Sequence, residues 1–328
     1  MLRTLIAGLA FGTAAQAAPL PPETYYAPHR LVSLPDGRKM NLFCLGQGSP
    51  TVVLDAGYGS GASTWAGIHQ ALAETTQVCA YDRAGNEFSD PGPLPRTTGA
   101  IVADERAMLK AAKIKGPFVL VGHSMAGLHV RLYASKYPKE VAGAVLVDPS
   151  SPRQKQRFAV AAPVATAKDQ ARFSNARNCN ERLVAGALKA GDPDYATCFP
   201  PPKADLPPAY RANLVARRTD PARVANLMSE VDSMPEASSA EVEANLRKLG
   251  DLPWIVLTAT GTARAAGGPP EEADAMGKVW NDMHDEAATL STRGEHRQVD
   301  AGHYIWFTKP QAVIDAVNEV VAAVRARR

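Results

Sequence analysis

The stretch Val121-Gly122-His123-Ser124-Met125-Ala126-Gly127 (VGHSMAG, residues 121–127) decides how the chain is read. An apolar run, 117–120 (PFVL), leads into it, and a helix-like run, 128–138 (LHVRLYASKYP), leads out. A serine on a sharp strand-to-helix turn projects its hydroxyl from the carboxyl edge of a sheet. Gly122 lets the backbone turn under strain, and the small residues after Ser124 let strand and helix pack closely. A helix starting just past the serine brings backbone N–H groups and the positive end of its dipole to an anion beside it. Those are the needs of a nucleophile that builds an oxyanion. The pattern is G-x-S-x-G with one departure: Ala126 stands two residues after Ser124, and glycine follows at Gly127. The competing reading is a serine that only caps a helix, so the rest of the chain must decide.

Working outward, short and almost wholly apolar runs recur at 51–57 (TVVLDAG), 77–82 (QVCAYD), 142–148 (AGAVLVD) and 253–259 (PWIVLTA). Between and after them lie helical patterns: 63–76, opened by a Ser or Thr cap, 97–113, 270–291 and 310–325. A further strand is expected at 296–300 (HRQVD). Strands apolar throughout and alternating with helices imply a mostly parallel sheet covered on both faces, an α/β architecture. Two strand-like runs in 29–46 flank Pro35-Asp36-Gly37, a turn that adds an antiparallel hairpin at one edge. From 150 to 250 no strand-like run appears, and the segment is rich in Ala, Arg and Pro. Because the alternation resumes afterwards, the expected organisation is one core, 29–149 and 251–328, interrupted by a helical insertion at 150–250.

The N-terminus carries Arg3, an apolar stretch from Leu5 to Phe11, and Ala15-Gln16-Ala17, which fits a small-residue cleavage site. Residues 1–17 therefore read as a secretory signal peptide followed by an extension at 18–28, with a secreted or periplasmic destination. The apolar part is too short for a stable membrane span. Export makes the four cysteines, Cys44, Cys79, Cys179 and Cys198, worth pairing. A local Cys179–Cys198 bridge is expected from their shared segment, while Cys44 and Cys79 fit buried thiols in strands. A net charge of +3 spread over 328 residues, with no basic run of five, gives no nucleic-acid signal. No P-loop, dinucleotide fingerprint or metal-ligand spacing occurs, so no cofactor is implied.

Three separated pieces now fall in order: the glycine loop from Leu54 to Gly61 after a strand, the elbow at Ser124, and His303 in 300–317 (DAGHYIWFTKPQAVIDAV) before the last helix. With 81–90 (YDRAGNEFSD), they resemble the α/β-hydrolase superfamily, in its serine esterase- or lipase-like branch, over residues 29–326. The resemblance implies an α/β-hydrolase fold whose 150–250 insertion is a cap or lid. It implies Ser124 as nucleophile, His303 as the base, and the backbone N–H groups of Tyr58 and Met125 as the oxyanion hole. In this superfamily the third residue, an acid, most often follows the strand written here 253–259, yet no Asp or Glu occurs there before Glu271. Members whose acid follows the preceding strand point to Asp148; Glu271, Glu272 and Asp274 stay in reserve.

His123, beside the nucleophile, reads as a packed histidine, and His29, His69, His129, His284 and His296 as surface or structural. Trp65 and Trp306 fit either a pocket lining or the core. The aromatics of the insertion, including Phe158, Phe173, Tyr195, Phe199 and Tyr210, read mostly as packing. The implied partner is a small-molecule ester-type substrate. Acyl transfer or perhydrolysis on the same machinery, and a non-catalytic ligand-binding protein of the same fold, are the alternatives.

Overall fold

The computed structural model describes residues 19–266 and 268–327. The proposed signal peptide lies outside the described residues. Eight strands form one sheet: β1 Arg30–Ser33, β2 Lys39–Leu45, β3 Thr51–Asp55, β4 Val78–Tyr81, β5 Phe118–His123, β6 Val141–Val147, β7 Trp254–Ala259 and β8 Gly294–Val299. Their order is β1-β2-β4-β3-β5-β6-β7-β8. β1 and β2 pair antiparallel, as do β2 and β4, and every pairing from β4 through β3 to β8 is parallel. The sheet is thus mostly parallel with an antiparallel N-terminal edge. Its hairpin turns at Gly37, whose φ of +88° suits glycine.

The core helices are α1 Ala66–Ala73, α2 Thr98–Ala111 and α3 Ala126–Lys136. Between β6 and β7 come α4 Gln154–Ala161, α5 Pro163–Val184, α6 Tyr195–Cys198, α7 Pro208–Arg218, α8 Pro221–Ser233 and α9 Ser239–Asn245. A π-helical turn, Met234–Ser238, joins the last two. The chain closes with α10 Pro270–Ala288, α11 Ile305–Thr308 and α12 Pro310–Arg325. The expected 63–76 helix differs in detail. A 3-10 turn, Ala62–Trp65, precedes α1, and neither has a side-chain cap, so Ser63 and Thr64 lie within the turn rather than before the helix.

Strands β3, β4, β5 and β7 are buried at every residue. Alternate side chains therefore feed two separate cores. Val53, Leu120, Leu146 and Val256 face α2, α3, α9 and α10. Val52, Leu54, Val121, Val145 and Leu257 face α1 and α12. Covering both faces removes the polar-out alternation and explains the continuous apolar runs.

All four cysteines are bonded, Cys44 to Cys79 and Cys179 to Cys198. The first pair corrects the expectation of two buried thiols. Cys44 and Cys79 are register partners across β2 and β4, with Cα atoms 4.0 Å apart. That neighbour relation arises from sheet order, which no local pattern encodes. Among the described residues no helix is long and apolar enough to cross a membrane.

Candidate active site

Within 121–130 only Ser124 reaches solvent; every neighbour is buried. Ser124 has φ +54°, a left-handed conformation that costs a non-glycine residue strain. Three backbone bonds hold it there: its N–H donates to Val147 O (3.1 Å), and its C=O accepts from the N–H of Gly127 (2.9 Å) and Ser150 (2.7 Å). The turn is tight because Gly122 packs on the first turn of α3. A Cβ on Gly122 would lie 2.7 Å from both Ala126 O and a Val130 methyl. Ala126, where the motif usually has glycine, is itself fully buried without such a conflict.

Asp148 directly follows the neighbouring strand β6, also at positive φ (+45°), and is fully buried. Its carboxylate accepts four hydrogen bonds. Oδ1 receives Ala259 N–H (2.9 Å) and Trp280 Nε1–H (2.8 Å). Oδ2 receives Thr262 Oγ1–H (2.6 Å) and His303 Nδ1 (2.6 Å). Burial alone would raise the Asp148 pKa, but the bonds from His303 and Thr262 and the charge of His303 outweigh it and hold the group below the usual carboxylate range. A carboxylate can only accept, so His303 Nδ1 carries a proton, and Nε2 is the acceptor whenever the ring is neutral. The His303 side chain is about one-third exposed (34%). Among the reserve carboxylates, Glu272 caps the start of α5 through Val164 N–H (3.1 Å) and Ala165 N–H (2.7 Å). Glu271 and Asp274 face solvent. None of the three bonds to His303.

The elbow and the His303 loop are joined through His123. Its Nε2–H donates to His303 O (3.0 Å), and the two imidazole rings are 4.6 Å apart, centre to centre. Burial is the chief cause that lowers the His123 pKa to about 3, so the ring is neutral. Trp65 and Trp306 stack at 4.4 Å behind it and are both buried, which places them in the core. Trp306 Nε1–H donates to Thr64 O (2.8 Å), tying the His303 loop to the segment after the glycine loop. Tyr304 and Phe307 stack at 5.0 Å, and Phe307 is largely exposed.

The glycine loop approaches the elbow at Gly57. A Cβ there would lie 2.9 Å from His123 Nδ1, closer than real Cβ atoms come, and 3.1 Å from Ser124 Cβ, tighter than most of them come. Only glycine lets the Gly57–Tyr58 peptide lie against Ser124. Among the described residues, no other group takes the N–H of Tyr58 or of Met125.

Sequence reading missed Thr262 and Trp280 as partners of Asp148. Trp280 is 132 residues away on α10, and its position in the helical pattern marks it only as an inward residue. The remaining histidines are mostly interior. His69, His129 and His284 are buried, and His284 Nε2–H donates to Pro149 O (2.8 Å). In the insertion, Leu183 and Leu188 are buried, Tyr210 stacks on Tyr26 at 4.0 Å, and Phe173 is exposed.

Comparison with known proteins follows the same outline. A family model described as the alpha/beta hydrolase fold matches residues 50–229. The chain is 34% identical over 120 residues to "Probable transporter efuK" of Hormonema carpetanum, covering 35% of this chain and 17% of that protein. It is 35% identical over 103 residues to "Putative carbamate hydrolase RutD" of Klebsiella pneumoniae subsp. pneumoniae, covering 31% of this chain and 38% of that one. In both cases the match spans well under half of the curated relative. Among solved structures, the enol-lactonase from Burkholderia xenovorans LB400 superposes with a TM-score of 0.58 at 17% identity, covering 89% of this chain and all of that one. An eight-stranded sheet of this order, a strained serine between β5 and α3, and a family match over more than half the chain lead to one conclusion: the chain belongs to the alpha/beta hydrolase fold family.

Proposed function

We propose that the protein is a serine hydrolase that cleaves a small carboxylic ester-type substrate, lactones included, through an acyl-enzyme. The observation that carries this reading is the His303 Nδ1 to Asp148 Oδ2 bond at the carboxyl edge of the sheet, beside the strained Ser124. In this reading Ser124 Oγ attacks the substrate carbonyl carbon while His303 Nε2 takes its proton. Asp148, ionised, fixes the His303 tautomer and stabilises the imidazolium. The carbonyl electron pair moves to oxygen, and the N–H groups of Met125 and Tyr58 receive that anion. The tetrahedral centre collapses, the leaving alkoxide takes the proton from His303, and Ser124 keeps the acyl group. Water, deprotonated by His303, then repeats the sequence and frees the carboxylic acid. The helices of 150–250 act as the cap over this edge, and residues 1–17 direct export.

The enol-lactonase and carbamate hydrolase names among the similar proteins support hydrolysis of an activated carbonyl. The test is labelling by a fluorophosphonate probe together with rates on a panel of p-nitrophenyl esters and lactones. Labelling at Ser124 and turnover are expected, both lost in Ser124→Ala. Asp148→Asn should keep the fold and lower kcat by several decades, on the order of 10⁴. A folded protein that neither takes the probe nor hydrolyses any member of the panel would overturn the reading.

A further inference from the structure

Behind the glycine loop lies a buried arginine that the triad does not use. Arg83 follows β4, and its side chain is 1% exposed. A guanidinium has five N–H donors, and all five are engaged. Nε donates to Glu230 Oε1 (3.2 Å). Nη1 donates to Asp55 Oδ1 (2.9 Å) and to the backbone oxygen of Ala56 (2.5 Å). Nη2 donates to the backbone oxygen of Gly57 (2.8 Å) and to Glu230 Oε2 (3.1 Å). Burial disfavours the cation, but Glu230 and Asp55 outweigh it and keep Arg83 charged.

The contact with Gly57 has a directional consequence. In a trans peptide the C=O and the N–H of one unit point in opposite directions. With Gly57 O turned toward Arg83, the Tyr58 N–H of the same unit is turned the other way. Gly57 itself lies against Ser124. A turn bond from Ser60 N–H (3.2 Å) also reaches Gly57 O, so the peptide has a neutral support and a charged one. The charged one does more. A cation on the carbonyl polarises the whole unit and strengthens its N–H as a donor.

We propose that Arg83 is a positioning residue for the oxyanion-donor peptide Gly57–Tyr58, and that Glu230 on α8 makes the 150–250 segment part of that device. The inference rests on the hydrolase reading above. The same chain of contacts reaches the elbow from a second side. Asp55 Oδ2 pairs with His129 Nδ1 (2.7 Å), and His129 lies on α3, the helix that Ser124 precedes. Asn86 Nδ2 adds a bond to Glu230 Oε1 (3.3 Å). One helix of the insertion thus braces the back of the anion site while α3 braces the nucleophile.

The test uses Arg83→Lys and Glu230→Gln in the full chain, with active sites counted by fluorophosphonate titration. A lysine offers at most three donors without the planar fork. Positioning of a transition-state donor shows as a loss in kcat with KM held. Arg83→Lys should lower kcat per titrated site by about 10- to 100-fold, short of the roughly 10²–10³ for losing a donor outright. KM should stay within about twofold. Inhibition by a boronic acid, which forms a tetrahedral anion on serine, should weaken by the same factor as kcat. Glu230→Gln should move both readouts in the same direction by a smaller factor. Unchanged kcat in folded Arg83→Lys, a loss confined to KM, or an unchanged boronic acid constant would each overturn the inference. If Arg83→Lys does not fold, Glu230→Gln decides by the same three criteria. If the wild-type protein takes no probe at Ser124, the hydrolase reading itself has failed, and that result is visible before any variant is compared.

Discussion

The helical segment between β6 and β7 has two halves that are held in different ways. The outer half, α4 to α7, buries little: Ala162, Ala165, Leu183 and Leu188 are its inward apolar residues, and Val160, Phe173 and Val215 are exposed. Its ion pairs are mostly solvent-facing, as in Arg182 with Asp194 and Arg177 with Asp232; the exception is Arg217 on α7, whose pair with Glu87 is largely covered. The inner half, α8 and α9, is bound to the core by buried polar groups. Asn226 accepts from Gly92 N–H (2.7 Å) and donates to Gly92 O (3.0 Å). Ser238 Oγ accepts from Thr98 N–H (2.9 Å), and Glu241 takes the Thr97 hydroxyl (2.8 Å) and Gly99 N–H (2.6 Å) at the start of α2. Buried hydrogen bonds between elements are costly to break because each group is left dry and unpaired. Local opening should therefore begin in the outer half, while the inner half behaves as core.

The sharpest way to break this contrast lies on one helix. Glu230 and Asp232 are two residues apart on α8; the side chain of the first is 0% exposed and that of the second 42%. Glu230→Ala would leave Arg83 buried with half its counter-charge. We expect a loss of about 3–5 kcal/mol in urea unfolding. A loss under about 1 kcal/mol would show that α8 is no more core than α5.

Next in size is the outer disulfide. Closing the loop between Cys179 and Cys198 is worth about 3 kcal/mol in the chain-entropy model for a separation of 19. In the double variant Cys179→Ser/Cys198→Ser that loss should register as faster limited proteolysis within residues 163–218. The main melting transition should move little, because it reports the core. A lowered main transition without new cleavage would place the outer half in the same cooperative unit.

Acid gives a third measure. Burial, the largest cause in each case, lowers the pKa of His69 to about 4, His284 to about 4 and His123 to about 3, against an ordinary value of 6.5. Between those limits the unfolded chain binds more protons at these three groups than the folded one, so their contribution to stability is full above about pH 6.5 and falls as pH is lowered toward 4; buried Asp82, raised to about 6, works in the opposite direction. Each histidine contributes at most about 1.4 kcal/mol per pH unit in that window. All three lie in the core, and the outer half contains no histidine. From pH 7 to pH 5 the parent protein should lose more melting temperature than His69→Gln does, while the proteolysis rate of the outer half stays flat. A pH slope in His69→Gln equal to that of the parent protein would contradict a buried neutral His69.

The smallest effect expected is Asp232→Ala. It removes a solvent-facing partner of Arg177 and should cost no more than about 1 kcal/mol. Set beside Glu230→Ala, it calibrates the difference between the two faces of α8.

The contrast also marks how far the sequence could be read. Both halves are Ala-rich with helical periodicity; the outer half is Arg-rich and the inner half, 221–245, is acidic, but that difference in charge does not say which of them is bound to the core. Nothing local distinguishes Glu230 from Asp232, since their fates depend on Arg83, 147 residues away from Glu230. The sheet was legible because burial on both faces forces continuous apolar runs, a property of each strand taken alone. The strained turn at Ser124 was legible for the same reason: its glycine and small residues answer to local geometry. The choice among Asp148, Glu271, Glu272 and Asp274 was not, because the distance between a carboxylate and His303 is set by how β6, β7 and the last loop come together.

By itself, then, the sequence determined the alternation of buried strands and helices, the strained serine, the glycine loop and the interruption between β6 and β7. Each follows from short-range periodicity, backbone sterics or turn chemistry. The tertiary structure alone decided that Asp148 meets His303, that Cys44 faces Cys79, and that Arg83 grips both the glycine loop and α8. Those are contacts between residues far apart in the chain, and only the packing of the sheet and its covering helices brings them within bonding distance.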